Sequence, residues 1–152
     1  MDKKGVTLIE LLIVVAIIGI LAMIAVPAYI GQQKGATRTE AYSNLQNLRL
    51  LEEQFFAENS RYTVNLGTCA ASNPGNVLQI QQGGAAPDST NALPGFKPGT
   101  GTTYSYCIQQ NIRLDGTAQA TPPCFRASAF GNTGTRVAGD TFRIDCNNDR
   151  NF

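Results

Sequence analysis

The sequence predicts an α+β fold: one long amino-terminal helix, apolar in its first half and amphipathic in its second, packed on a carboxy-terminal antiparallel sheet. Three observations carry this expectation. Val6 to Val26 is apolar apart from Thr7 and Glu10. Ala41, Leu45, Leu48, Leu51 or Glu52, and Phe55 then follow helical spacing, with Arg38, Glu40, Asn47, Arg49, Glu53 and Glu58 mostly elsewhere. Beyond Thr103, the segments Tyr104–Gln110, Cys124–Phe130 and Thr141–Cys146 alternate with a period of two, the later two separated by Gly/Asn/Thr-rich turns.

A helix over Val6–Val26 spans about 32 Å, which matches a hydrocarbon core of about 30 Å. Lys3 and Lys4 precede it, so the positive-inside bias leaves the short amino terminus in the cytoplasm and the remainder outside. Glu10 lies just within this segment, where a carboxylate costs free energy unless something pairs with it. On hydropathy alone the segment reads as a plain single-span anchor, with Glu10 tolerated near a helix amino terminus. A secretory signal cut after Ala28 is the competing reading, but the run is long for such a signal and Glu10 sits badly near its start.

Composition narrows the function. The 152 residues suffice for one domain plus an anchor. The net charge of +1, with no Lys/Arg run, gives no reason to expect a nucleic-acid partner. The chain has no His, which removes the commonest general base and metal ligand. No nucleophile–base set or phosphate loop appears, and Gly99-Thr100-Gly101 lacks the rest of a phosphate motif. No enzymatic activity, cofactor or metal is expected. Asp145, Asn147, Asn148 and Asp149 offer oxygen ligands that calcium accepts, but their spacing fits no loop motif and reads as a solvated terminus. Arg113, Arg126, Arg136, Arg143 and Arg150 are interleaved with acids and read as a mixed surface. Cys69, Cys107, Cys124 and Cys146 all follow the apolar segment, and none is spaced Cys-x-x-Cys. They read as two disulfides formed in an oxidising compartment rather than as buried thiols.

Gly5-Val6-Thr7-Leu8-Ile9-Glu10-Leu11-Leu12, continuing through Gly19 to Tyr29, resembles the prepilin motif of type IV pilins and type II secretion pseudopilins. The resemblance implies a leader of residues 1–5, a transmembrane and filament-core helix over 6–27, and a globular periplasmic or extracellular domain over 28–152. It implies cleavage after Gly5 by a membrane prepilin peptidase and methylation of the new amine at Val6. Glu10 matches the family's conserved glutamate, Gly19 its mid-segment glycine and Pro27 its helix-bending proline. Val6 departs from the usual Phe or Met at the first mature position. The implied partners are copies of the chain in a helical filament, the prepilin peptidase, the pilus assembly platform of the inner membrane, and lipid before assembly. The implied location is the inner membrane for the precursor and then a surface pilus serving adhesion, motility or DNA uptake. A minor pilin, a type II secretion pseudopilin and a monomeric tethered binding domain are the alternatives. The physical logic agrees. A Val6 amine and the Glu10 carboxylate lie about 6 Å apart along one helix axis and can pair within or between subunits. Leaving either charge alone in a low dielectric is costly, so the pair would select an axial register. Gly19 and Pro27 weaken helical hydrogen bonding locally, permitting a bend or partial unwinding.

The helix is expected to run to about Glu58, with Asn59-Ser60 ending it. Thr63 to Thr103, rich in Gly and Pro, reads as a long surface loop with a short strand at Val77–Ile80. Asp115-Gly116 is a hairpin signal. A two-residue turn there places Cys107 opposite Cys124, Tyr106 opposite Phe125 and Tyr104 opposite Ala127. Matching faces in the next hairpin sets Phe125, Ala127 and Ala129 against Cys146, Ile144 and Phe142, and Arg126 against Asp145 as a cross-strand charge pair. The core face is then Tyr104, Tyr106, Ile108, Phe125, Ala127, Ala129, Phe142 and Ile144, covering the helix stripe. This register favours disulfides 107–124 and 69–146. The resemblance instead implies 124–146, leaving 69–107. Pro122-Pro123 lies inside the proposed hairpin, where a bulge would break the register.

Overall fold

The structure, a computed structural model, describes residues 5–99 and 103–152. The sequence features at Asp2, Lys3, Lys4, Thr100 and Gly101 lie outside the described residues. The chain divides between Ala36 and Thr37 into two compact units. Helix α1, Leu8–Asn59, contributes to both.

In the first unit every described side chain from Gly5 to Gln32 is exposed, and the helix is long and apolar enough to cross a membrane. Pro27 stands inside α1 without ending it. A Cβ placed on Gly19 would meet nothing within 4 Å, so no contact inside the chain demands a glycine there.

In the second unit, α1 buries Ala41, Leu45, Leu48, Glu52 and Phe55, each three or four residues from the last. The sequence left Leu51 or Glu52 open for the fourth contact. Glu52 is fully buried and Leu51 partly so. The helix stops where Ser60 takes φ +54° and its N–H reaches the Phe56 carbonyl at 2.8 Å, beside the bond from Asn59 Nδ2 to Phe55 O. Strands β1 (Tyr104–Gln110), β2 (Phe125–Gly131) and β3 (Thr141–Asp145) form an antiparallel sheet in that order. All eight residues expected on its inner face join the core, Phe142 only partly buried. Each fully buried Leu or Ile contributes about 1.5–3 kcal/mol.

The 63–103 segment departs from the expectation of a surface loop. Val77–Ile80 is not a strand but part of helix α2, Asn76–Gln82. Ile80 enters the core, and Val77, one turn back, packs against it from the same face. Gly83, at φ +91°, closes the helix by donating to Gln79 O. Leu66, Leu93 and Phe96 are buried, and Phe96 meets Tyr106 edge to face at 5.3 Å. The segment thus sends Leu66, Ile80, Leu93 and Phe96 into the core while most of its other described residues stay exposed or half-buried.

The β2–β3 register is the expected one, with Arg126 opposite Asp145, Ala127 opposite Ile144 and Ala129 opposite Phe142. The β1–β2 register is not. Cys107 faces Ser128 instead of Cys124, Tyr106 faces Ala129, and Tyr104 faces Gly131. Asp115-Gly116 does turn the chain, but within a small hairpin closed by the Ile112–Ala118 bridge. Pairing then resumes between Asn111 and Cys124, so Gln119–Pro123 is surplus on the second arm. Two prolines there have no N–H to offer a ladder. The slip moves each partner by four positions, an even number, so every side chain keeps its expected face.

The disulfides are Cys69–Cys107 and Cys124–Cys146, which overturns the pairing that the sequence register favoured. Cys124 precedes β2 and Cys146 follows β3. Both therefore lie beyond the strand ends, where strict alternation no longer decides which way a side chain points. On a loop-entropy account, spans of 38 and 22 residues stabilise by about 3–4 kcal/mol each.

Candidate functional site

The candidate site is the amino-terminal turn of α1 and the apolar surface that follows it. Thr7 precedes the first helical residue, Leu8, and its carbonyl accepts the first helical bond from Leu11 N. The Glu10 N–H donates to Thr7 Oγ1 at 3.3 Å. In return Thr7 N–H and the Thr7 hydroxyl donate to Glu10 Oε2 at 2.9 and 2.8 Å. This reciprocal pair is a capping box, written in the sequence as Thr7-Leu8-Ile9-Glu10. It satisfies two donors that a helix start otherwise leaves without partners. It also sets the carboxylate at the positive end of the helix dipole. Glu10 stands out in the sequence by its charge, whereas the part played by Thr7 is carried only by the Thr-x-x-Glu spacing.

Gly5 and Val6 lie exposed immediately before the cap, Val6 at 77%. Gly19 and Pro27 are also exposed. The structure thus joins Thr7 and Glu10 in the capping turn, with Val6 immediately before it in the chain, and leaves Gly19 and Pro27 further along the helix. From Leu8 to Val26, Glu10 is the single ionisable side chain.

The second unit holds a polar feature that the sequence did not disclose. Glu52, fully buried on α1, accepts from Thr63 N at 3.1 Å and from the Thr63 hydroxyl. Burial pushes its carboxyl up to about 7 against the opposing pull of these bonds; Glu53 adds to the rise and Arg61 reduces it. Arg38 and Asp140 form a bidentate ion pair with both bonds at 2.7 Å, and the Tyr104 hydroxyl donates to the same carboxylate. The calcium candidate resolves differently. Asp145 accepts N–H bonds from Leu114, Asn147 and Asp149, so its oxygens organise the surrounding loops. Among the described residues no group of three or more His, Cys, Asp or Glu is placed to hold a metal.

Comparison with known proteins converges on the same turn. The family model "Prokaryotic N-terminal methylation motif" matches residues 1–26. A type IV major pilin protein, PilA, of Myxococcus xanthus is 52% identical over 61 residues, covering 40% of this chain and 28% of that protein. A type IV wide pilus major component, PilA4, of Thermus thermophilus is 38% identical over 80 residues, covering 50% of this chain and 61% of that protein. A type II secretion system core protein G of Klebsiella pneumoniae is 35% identical over 60 residues, covering 40% and 43% respectively. The matches thus span less than two thirds of each of these relatives. No solved structure matches the chain at a significant level. The chain thus combines a long helix on a three-stranded antiparallel sheet with the N-terminal methylation motif, and over at most half of its length it is homologous to these type IV major pilins and type II secretion system core proteins.

Proposed function

We propose that the chain is a structural subunit of a type IV pilus. It is made as an inner-membrane precursor with its second unit on the periplasmic side. The prepilin peptidase cuts it after Gly5, the amine of Val6 is methylated, and the assembly platform polymerises it through α1. The observation that carries this reading is the Leu8–Val26 stretch of α1: an apolar surface whose side chains are all exposed, with one carboxylate in its first turn. Such a surface is stable only in lipid or against other apolar helices.

Glu10 is the element that selects register. Its Oε2 is engaged by Thr7, but a carboxylate offers about four lone-pair sites, so capacity remains for an amine from a docked neighbour. Gly19 and Pro27 give the helix local freedom to bend as it packs. The outer unit then presents the surface used in adhesion, motility or DNA uptake. The likeness to type II secretion core proteins supports a pseudopilin as the second reading.

Mass spectrometry of the mature chain tests the processing: the expected product lacks residues 1–5 and carries one added methyl on Val6. A product beginning after Ala28 would overturn the reading. Electron microscopy of sheared surface fibres, with side-chain density for Val6 and Glu10, tests the assembly and separates a major subunit from a secretion component.

A further inference from the structure

The outward-facing positions of the sheet form a grid. Gln109, Arg126 and Asp145 make one row across the three strands, and Cys107, Ser128 and Arg143 the next. Ser128, at its centre, is 1% exposed, and its Oγ has no hydrogen-bond partner. Arg126 lies two residues before it on the same strand, and Arg143 lies directly across from it on β3. The Nε atoms of both arginines are also buried without partners. Three buried donors without acceptors thus occupy neighbouring positions of one face, an arrangement that proteins avoid because such groups lose water and gain nothing in exchange.

The nearby acids do not supply the missing acceptor. Asp145, directly opposite Arg126, gives its oxygens to the N–H groups of Leu114, Asn147 and Asp149, so the cross-strand charge pair that the register allows does not form. Asp115 lies within electrostatic reach of Arg126, but its Oδ1 accepts from Thr117 N and Oγ1. Arg126 donates from Nη2 to Gln109 Oε1 at 2.6 Å, and its Nη1 reaches the Leu114 and Arg113 carbonyls only at 3.4 and 3.5 Å. Burial, and then the charge of Arg143, hold Arg126 below its usual value against the opposing pull of Asp115.

We propose that this face binds one oxyanion, a phosphate or carboxylate group, gripped by Arg126 and Arg143 with the Ser128 hydroxyl beneath it. Two half-buried guanidinium groups suit an oxyanion because each presents planar, permanently charged donors, and a hydroxyl between them completes a three-sided cradle. The source is a dissolved anion or a carboxylate on a second copy of the chain.

The test uses the 15N-labelled full chain in detergent micelles, following the arginine Nε–Hε signals. One arm titrates inorganic phosphate at constant ionic strength; the other varies protein concentration with no phosphate present. The Arg126 and Arg143 signals should move together to saturation in one arm or the other, identifying the source. Arg38, already paired with Asp140, serves as the internal reference and should stay still. Arg143→Gln should weaken the association about tenfold or more, and Ser128→Ala about fivefold. Shifts that rise linearly, that match those of Arg38, or that are absent in both arms would overturn the site. So would saturation unchanged in Arg126→Gln and Arg143→Gln. If a variant does not fold, the contrast between Arg38 and the Arg126/Arg143 pair in the natural chain decides the matter alone.

Discussion

Replacing Glu52 by Gln should remove a pH dependence that the natural chain carries. Glu52 is fully buried, and its carboxyl is raised to about 7 from an ordinary 4.5. A raised acid binds its proton more tightly in the folded state. Its contribution is therefore fully present below pH 4.5, declines as pH rises, and is gone above pH 7. The difference between the two values corresponds to about 3 kcal/mol, or about 6–12 °C in melting temperature for a chain of this size. Gln keeps a carbonyl to accept from Thr63 N and Oγ1 and cannot ionise. The variant should lose this slope between pH 4.5 and 7 and match or exceed the natural chain at pH 8. Asp88 and Asp115 do not confuse the measurement. Their hydroxyl and backbone bonds, from Thr90 and Thr117, hold them below the usual carboxylate range, so they act at lower pH with the opposite sign. Thermal unfolding of the full chain in micelles, followed by tyrosine near-ultraviolet dichroism, reads the effect. Tyr104 and Tyr106 are buried and report on the sheet. Equal slopes in the natural chain and the variant across this window would refute the reasoning.

Four further outcomes follow from the packing and the proposed assembly. Gly131→Ala should destabilise by about 1–3 kcal/mol in denaturant melts, because its Cβ would stand 1.8 Å from the Val137 carbonyl oxygen. Gly95→Ala, which meets only the movable end of Leu51 at 2.8 Å, should cost less. A non-reducing peptide map should yield Cys69–Cys107 and Cys124–Cys146 and no fragment joining Cys107 to Cys124. Glu10→Ala should leave leader cleavage intact, measured by mass, while incorporation into sheared fibres falls; normal incorporation would contradict the charge-pair mechanism.

The parts legible in the sequence are those decided by local periodicity. The stripe from Ala41 to Phe55 and the two faces of the sheet follow from spacings of 3.6 and 2, and the core obeyed them. Even the misplaced β1–β2 register kept the right faces, because period-2 alternation is insensitive to an even slip. What it could not absorb was the surplus at Gln119–Pro123, since a turn signal fixes pairing only beside the turn. Val77–Ile80 was too short for periodicity to separate helix from strand. The role of Glu52 lay hidden because its partner, Thr63, comes after the helix has ended and the chain has turned back. The same is true of Asp145: its register opposite Arg126 could be read, but not the loops that take up its oxygens. At the candidate site the reverse holds. The Thr7–Glu10 cap is entirely local, and four consecutive residues spell it out.

That cap bears on how the proposed assembly achieves selectivity. Between Val6 and Ile30 the large apolar side chains are each about half exposed or more. At about 1.5–3 kcal/mol for each such side chain, their exposure to water would outweigh the few kcal/mol that hold a typical domain together. Passage from lipid into a helical bundle, however, exchanges one apolar surrounding for another, so hydrophobicity cannot choose between them or set the stagger. The choice must come from polar groups and from close backbone approach. The second is open at Gly19, where nothing beyond the helix's own adjacent backbone lies within 4 Å of a Cβ placed there. The first rests on Glu10. Because Thr7 already holds one of its oxygens, the carboxylate is oriented before any partner arrives. It is also partly compensated while in lipid, which lowers the cost of waiting there. Thr7 is therefore a positioning residue for the proposed contact. Thr7→Val, which removes the hydroxyl and leaves the backbone donor, should reduce incorporation less than Glu10→Ala does.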